Sequence, residues 1–77
     1  MALSEQQIRD AIAKSVLNFD AAALSSSMRF QEAGIDSLDH ASILLELQER
    51  HGLKVPDEAI QQCSSIAGIL EFASANR

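Results

Sequence analysis

Gly34-Ile35-Asp36-Ser37-Leu38-Asp39-His40-Ala41-Ser42-Ile43-Leu44-Leu45-Glu46-Leu47-Gln48-Glu49-Arg50-His51-Gly52 decides how this chain folds. Gly34 relaxes the backbone for a turn, and the Asp36 carboxylate suits the N-cap of a helix, where it can accept backbone N–H groups. The helix then runs from Ser37 to His51, and Gly52 supplies its C-terminal stop. Advancing about 100° per residue from Leu38 splits the apolar residues into two groups. Ile43, Leu44 and Leu47 form one; Leu38, Ala41 and Leu45 form the other. A surface helix of a small domain has one stripe for the core. The second stripe is therefore expected to stay exposed, edged by Asp39, Glu46 and Glu49, as a partner strip. His40 and His51 fall nearer the core side and read as partly buried packing residues.

Outward from this helix, the pattern stays helical. Ser4 and Gln7 have capping-box spacing, with Leu3 and Ile8 placed for a hydrophobic staple. Ile8, Ala11, Ile12, Val16 and Phe19 recur at helical spacing, so a first helix is expected to end near Asn18. Residues 19–36 form a long connection, unusual in so small a domain and often functional. Met28 and Phe30 are its expected anchors to the core. Beyond Gly52, Pro56 forces a break. Asp57 is expected to cap a short helix over 58–62, and Ser65 a last one over 66–75, with Ile66, Ile69, Leu70 and Ala73 inward. No segment alternates like a strand. The expected fold is all-α: a small four-helix bundle of three main helices and one short one, in a single domain spanning 1–77.

Composition narrows the function. At 77 residues there is little room for a deep catalytic cleft, and 47% hydrophobic content suffices for one core. The formal charge of −5 lies entirely in residues 31–77, because residues 1–30 balance three acids with three bases. That distribution argues against nucleic acid and anionic lipid as partners, and fits proteins with basic patches. Cys63 is the lone cysteine, so no internal disulfide forms; it reads as a core residue. One Cys with His40 and His51 makes no zinc site, so no metal is expected. MALSEQQIRD lacks the pattern of a signal peptide, and no apolar run reaches the length of a membrane span. A cytoplasmic monomer without membrane insertion is the expectation.

Ser37, at the first helical position, would expose its hydroxyl beside the N–H groups and positive end of a helix, where a phosphodiester is welcome. The wider stretch resembles a known family. Gly34-Ile35-Asp36-Ser37-Leu38-Asp39 is similar to the Gly-x-Asp-Ser-Leu motif of acyl carrier proteins. Leu53-Lys54-Val55-Pro56-Asp57-Glu58 resembles that family's (Ile/Val)-Pro-Asp-Glu segment at a similar distance. Phe30 and Gly34 resemble the loop before the motif, and Ser64-Ser65-Ile66 resembles the start of the last helix. The resemblance is strong over 28–72 and weaker over 1–27.

The resemblance implies a 4′-phosphopantetheine arm on Ser37, attached from coenzyme A by a phosphopantetheinyl transferase with Mg²⁺. Asp36 matches the acid that positions metal and phosphate in that transfer. Leu38, Asp39, Ala41, Leu45 and Glu49 lie on the implied partner-recognition helix. The arm's thiol would carry acyl groups as thioesters to an acyl-carrier synthetase, ketosynthase or acyltransferase, in fatty-acid, lipid or polyketide synthesis. The chain itself would have no catalytic residue. Ile43, Leu47, Val55 and Ile69 would line a shelter for the acyl chain. Ala33 stands where the family usually has Leu, Ser42 and Gln48 where many members have acids, and Arg50 adds a positive charge. These departures imply a specialised carrier. A peptidyl or aminoacyl carrier is an alternative, disfavoured because Ile35 replaces the second Gly of its usual motif. An unmodified helical interaction module is another, but it leaves the motif without a reason. A serine hydrolase would need a supported base, and His40, three residues along the same helix, is poorly placed for that.

Overall fold

In a computed structural model of the chain, residues 3–75 are described; Met1, Ala2, Asn76 and Arg77 lie outside them. Three α-helices, α1 (Glu5–Ser15), α2 (Ser37–His51) and α3 (Ile66–Ala75), pack together, with short 3-10 turns at Ala21–Ala23 and Asp57–Ala59. The described residues contain no strand. The architecture is the small helical bundle expected, with a 3-10 turn in place of the short fourth helix.

The capping box at the start of α1 is complete. The Ser4 hydroxyl accepts from the Gln7 N–H, and the Gln7 side chain accepts from the Ser4 N–H. Leu3 packs against the core, as a staple residue should. The helix ends at Ser15, earlier than Asn18. Val16 is already extended, Leu17 is 83% exposed, and Asn18 adopts a left-handed φ of 61°. Asn tolerates that conformation, and the turn lets the partly buried Phe19 rejoin the core.

α2 has the expected limits. Asp36 caps it by accepting the Asp39 N–H at 2.8 Å, and Gly52 closes it with φ 70°. Its buried residues are His40, Ile43, Leu44 and Leu47. With Ile8, Ile12, Phe30, Ile35, Cys63, Ile66 and Ile69 they form the core.

Four expectations change. The segment after Pro56 is a three-residue 3-10 turn, and no side chain caps it. Gln61 and Gln62 are exposed, while Ala59 and Cys63 turn inward. His51 is exposed because it closes the last turn, beyond the packed part of α2. In the long connection, Met28 is 40% exposed while Leu24 is buried with Phe30. In α3, Phe72 is buried, whereas Ala73 is only partly so.

The long connection is stitched down by hydrogen bonds. Phe30 N–H donates to the Ser64 carbonyl at 2.8 Å, and Ala67 N–H to the Ser26 carbonyl at 2.8 Å. Arg9 Nη1 donates to the carbonyls of Ala21 and Leu24 at 2.6 and 2.7 Å, while Glu5 holds the rest of the guanidinium. These contacts fix the loop that delivers Gly34 to Ser37.

Candidate functional site

Ser37 is exposed at the first position of α2. The loop before it is held by Ile35, which is buried and donates its N–H to the Phe30 carbonyl at 2.9 Å. Gly34 sits at φ 91°, a backbone state that side-chain-bearing residues avoid. The hydroxyl therefore stands at a rigid helix tip on a tethered loop. Asp36 is adjacent and exposed, its carboxylate already turned toward the first turn of α2. The positive end of the helix dipole favours an anionic group here. No side chain needs to move for a long arm to leave Ser37 into solvent, so these residues fit a covalently attached phosphopantetheine.

The same geometry does not offer His40 to Ser37 as a base. His40 is 9% exposed and its Nε2–H donates to the Cys63 carbonyl at 2.9 Å. The ring also meets Phe30 edge-on, with centroids 5.3 Å apart. It ties α2 to the segment before α3 and is occupied in packing. Burial pushes the Cys63 thiol up to about 11, so it stays protonated at neutral pH.

The proposed partner strip is open. Leu38 is 78% and Leu45 54% exposed, and Ala41 is exposed beside them. The strip borders a surface groove of about 200 Å³ lined by Ala41, Leu44, Leu45, Gln48, Val55 and Ile60. Of the residues expected to line an acyl shelter in the bundle interior, most lie away from this groove. Ile43, Leu47 and Ile69 are fully buried in the packed core, and only Val55 of that set reaches the groove. Asp39 is half-buried on one flank, and Glu49 is exposed. Glu46, expected to be an acid edging the strip, is paired with Arg50.

Two supports of the site were not read from the sequence. Arg9 is one, and nothing in its spacing reveals the carbonyls it holds 12 and 15 residues away. Gly68 is demanded by a close approach, since a Cβ there would lie 2.1 Å from the Gln62 carbonyl oxygen. A glycine inside a helical pattern was the available signal.

No helix among the described residues is long and apolar enough to cross a membrane. Residues 6–73 match the family model described as a phosphopantetheine attachment site. The mitochondrial acyl carrier protein of Dictyostelium discoideum is 32% identical over 73 residues, covering 91% of this chain and 61% of that protein. The chain thus spans less than two thirds of that relative's length. The acyl carrier protein of Helicobacter pylori (strain G27) is 32% identical over 62 residues, covering 79% of this chain and 80% of that protein. That of Helicobacter acinonychis is 29% identical over the same length. Motif, helix-tip geometry and these likenesses agree: the chain belongs to the acyl carrier protein family, whose domain is the attachment site for phosphopantetheine.

Proposed function

We propose that Ser37 is the residue that bears the phosphopantetheine arm, and that the domain carries acyl intermediates on it as thioesters. The observation that carries this reading is an exposed serine at the first position of a well-capped helix. Asp36 helps hold the metal and phosphate during attachment. The arm supplies a terminal thiol on a long flexible tether, and bond-making falls to the enzymes it visits. The residues of this chain hold the tip rigid, keep the serine accessible and present Leu38, Asp39, Ala41, Leu45 and Glu49 to those enzymes. These partners are a phosphopantetheinyl transferase and then synthetase-, ketosynthase- or acyltransferase-type enzymes of fatty-acid, lipid or polyketide synthesis. The Ser42, Gln48 and Arg50 departures suit a specialised partner set. The proposal treats 1–77 as one carrier domain, acting as a monomer in the cytoplasm; the Dictyostelium relative is, by its name, mitochondrial.

The test is acylation after loading. Holo protein with the arm on Ser37 should accept an acyl group at the arm's thiol from an acyl-carrier synthetase, and hydroxylamine should release it. Holo protein that accepts no acyl group, but takes an aminoacyl group from an adenylating enzyme, would favour the aminoacyl-carrier reading.

A further inference from the structure

The polar residues around the exposed strip of α2 are mostly neutral or already engaged. The Ser42 hydroxyl turns back to donate to the Leu38 carbonyl at 3.1 Å. Glu46 is neutralised by the Arg50 guanidinium one turn later. Gln48, an uncharged residue, lines the groove beside Leu45. The Asp36 carboxylate accepts the Asp39 N–H. Between Leu38 and Gln48 the strip itself runs through Ala41, Ser42 and Leu45 without a charge, with the half-buried Asp39 on its flank. Negative charge lies at the two ends, Asp36 and Glu49, which are 13 residues and about 20 Å apart along the helix, and at Asp39 on the flank.

We infer that this face of α2 takes a partner enzyme whose contact surface is apolar and uncharged at its centre, with any cationic groups confined to the rim opposite Asp36, Asp39 and Glu49. This rests on the carrier reading and adds to it how a partner is chosen. A basic residue placed against the middle of the strip would be desolvated without a counter-charge, which penalises partners that rely on a central basic patch. Leu38 and Leu45 and the groove reward an apolar ridge of complementary shape. Docking should then depend on apolar contact and respond weakly to salt, since little long-range attraction is focused on the centre.

The probe is a broad-specificity phosphopantetheinyl transferase with coenzyme A and Mg²⁺. Its kcat/KM for the intact protein is measured from low to high NaCl, from about 0.05 to 0.5 M, a range over which screening of surface charges becomes severe. Three chains are compared: the wild type, Leu45→Ala, and the combined Ser42→Asp/Gln48→Glu/Arg50→Ala variant. The wild type should change by less than about threefold across the range, and the combined variant should fall more steeply. Leu45→Ala should lower kcat/KM by about threefold or more at every salt concentration. Both sets of substitutions lie on exposed residues of α2, and circular dichroism checks that each chain is folded. A wild-type salt dependence as steep as the combined variant's, or a Leu45→Ala chain indistinguishable from wild type, overturns the inference while leaving the carrier reading intact. Failure of the transferase to modify any of the three overturns the carrier reading itself.

Discussion

His40 is where the sequence's helical wheel and the structure agree most usefully. Its core-side position became a buried ring donating to the Cys63 carbonyl. Removing it leaves that carbonyl unpaired and opens space against Phe30. His40→Ala should therefore cost about 2–4 kcal/mol, combining a lost buried hydrogen bond with a cavity. A fall in the urea midpoint at unchanged slope would show it, and a change below about 0.5 kcal/mol would refute the latch. Ser4 is a milder case. Ser4→Ala removes one acceptor of an exposed capping box and should cost about 1 kcal/mol. Residues whose role is local, such as Ser4, Asp36 and Gly52, were legible because caps and left-handed stops are written in adjacent residues. Arg9 was not, because its partners Ala21 and Leu24 offer backbone carbonyls, and a carbonyl leaves no trace in residue identity. His51 was misplaced for another reason: a wheel gives direction around a helix but not where its neighbours end.

Among the elements, α2 was readable from end to end and the segment before α3 was not. Asp57 has the chemistry of a cap, yet Pro56 occupies the capping position and the turn closes after three residues. The chain must keep bending to bring Cys63 inward, where its N–H donates to the Ala59 and Ile60 carbonyls. The same compression explains Gly68. Intrinsic propensity says that Gly→Ala inside a helix should stabilise by about 1 kcal/mol. A Cβ 2.1 Å from the Gln62 oxygen reverses the sign. Gly68→Ala should be net destabilising by about 1–3 kcal/mol. A stabilised Gly68→Ala variant in thermal unfolding would show that the 62–68 turn is looser than described. The long connection was the least legible element. Ala21–Ala23 and Leu24 carry no period, and what fixes them comes from α1 and from the start of α3.

At the scale of the whole molecule, charge and burial set how the domain responds to its surroundings. The unfolded Cys63 thiol ionises near its ordinary value of 9.0, while in the fold burial holds it up to about 11. Below pH 9 both states keep the proton and stability is unaffected. Between about pH 9 and 11 the unfolded state releases it first, so stability falls with rising pH by about 2–3 kcal/mol. Cys63→Val should lose that component of the pH dependence. An unchanged slope in the variant would assign it to other groups. Overall architecture was legible because three amphipathic stretches in 77 residues admit few arrangements. The open groove beside Leu45 was not, since a sequence pattern does not show where a surface recess forms. The account rests above all on Ser37, and intact mass tests it most directly. Wild-type and Ser37→Ala protein are each incubated with a promiscuous phosphopantetheinyl transferase, coenzyme A and Mg²⁺. The account predicts a gain of one phosphopantetheine in the wild type and none in the variant. A folded wild type that gains nothing and carries no arm as purified, or a Ser37→Ala chain that gains the arm, would contradict it.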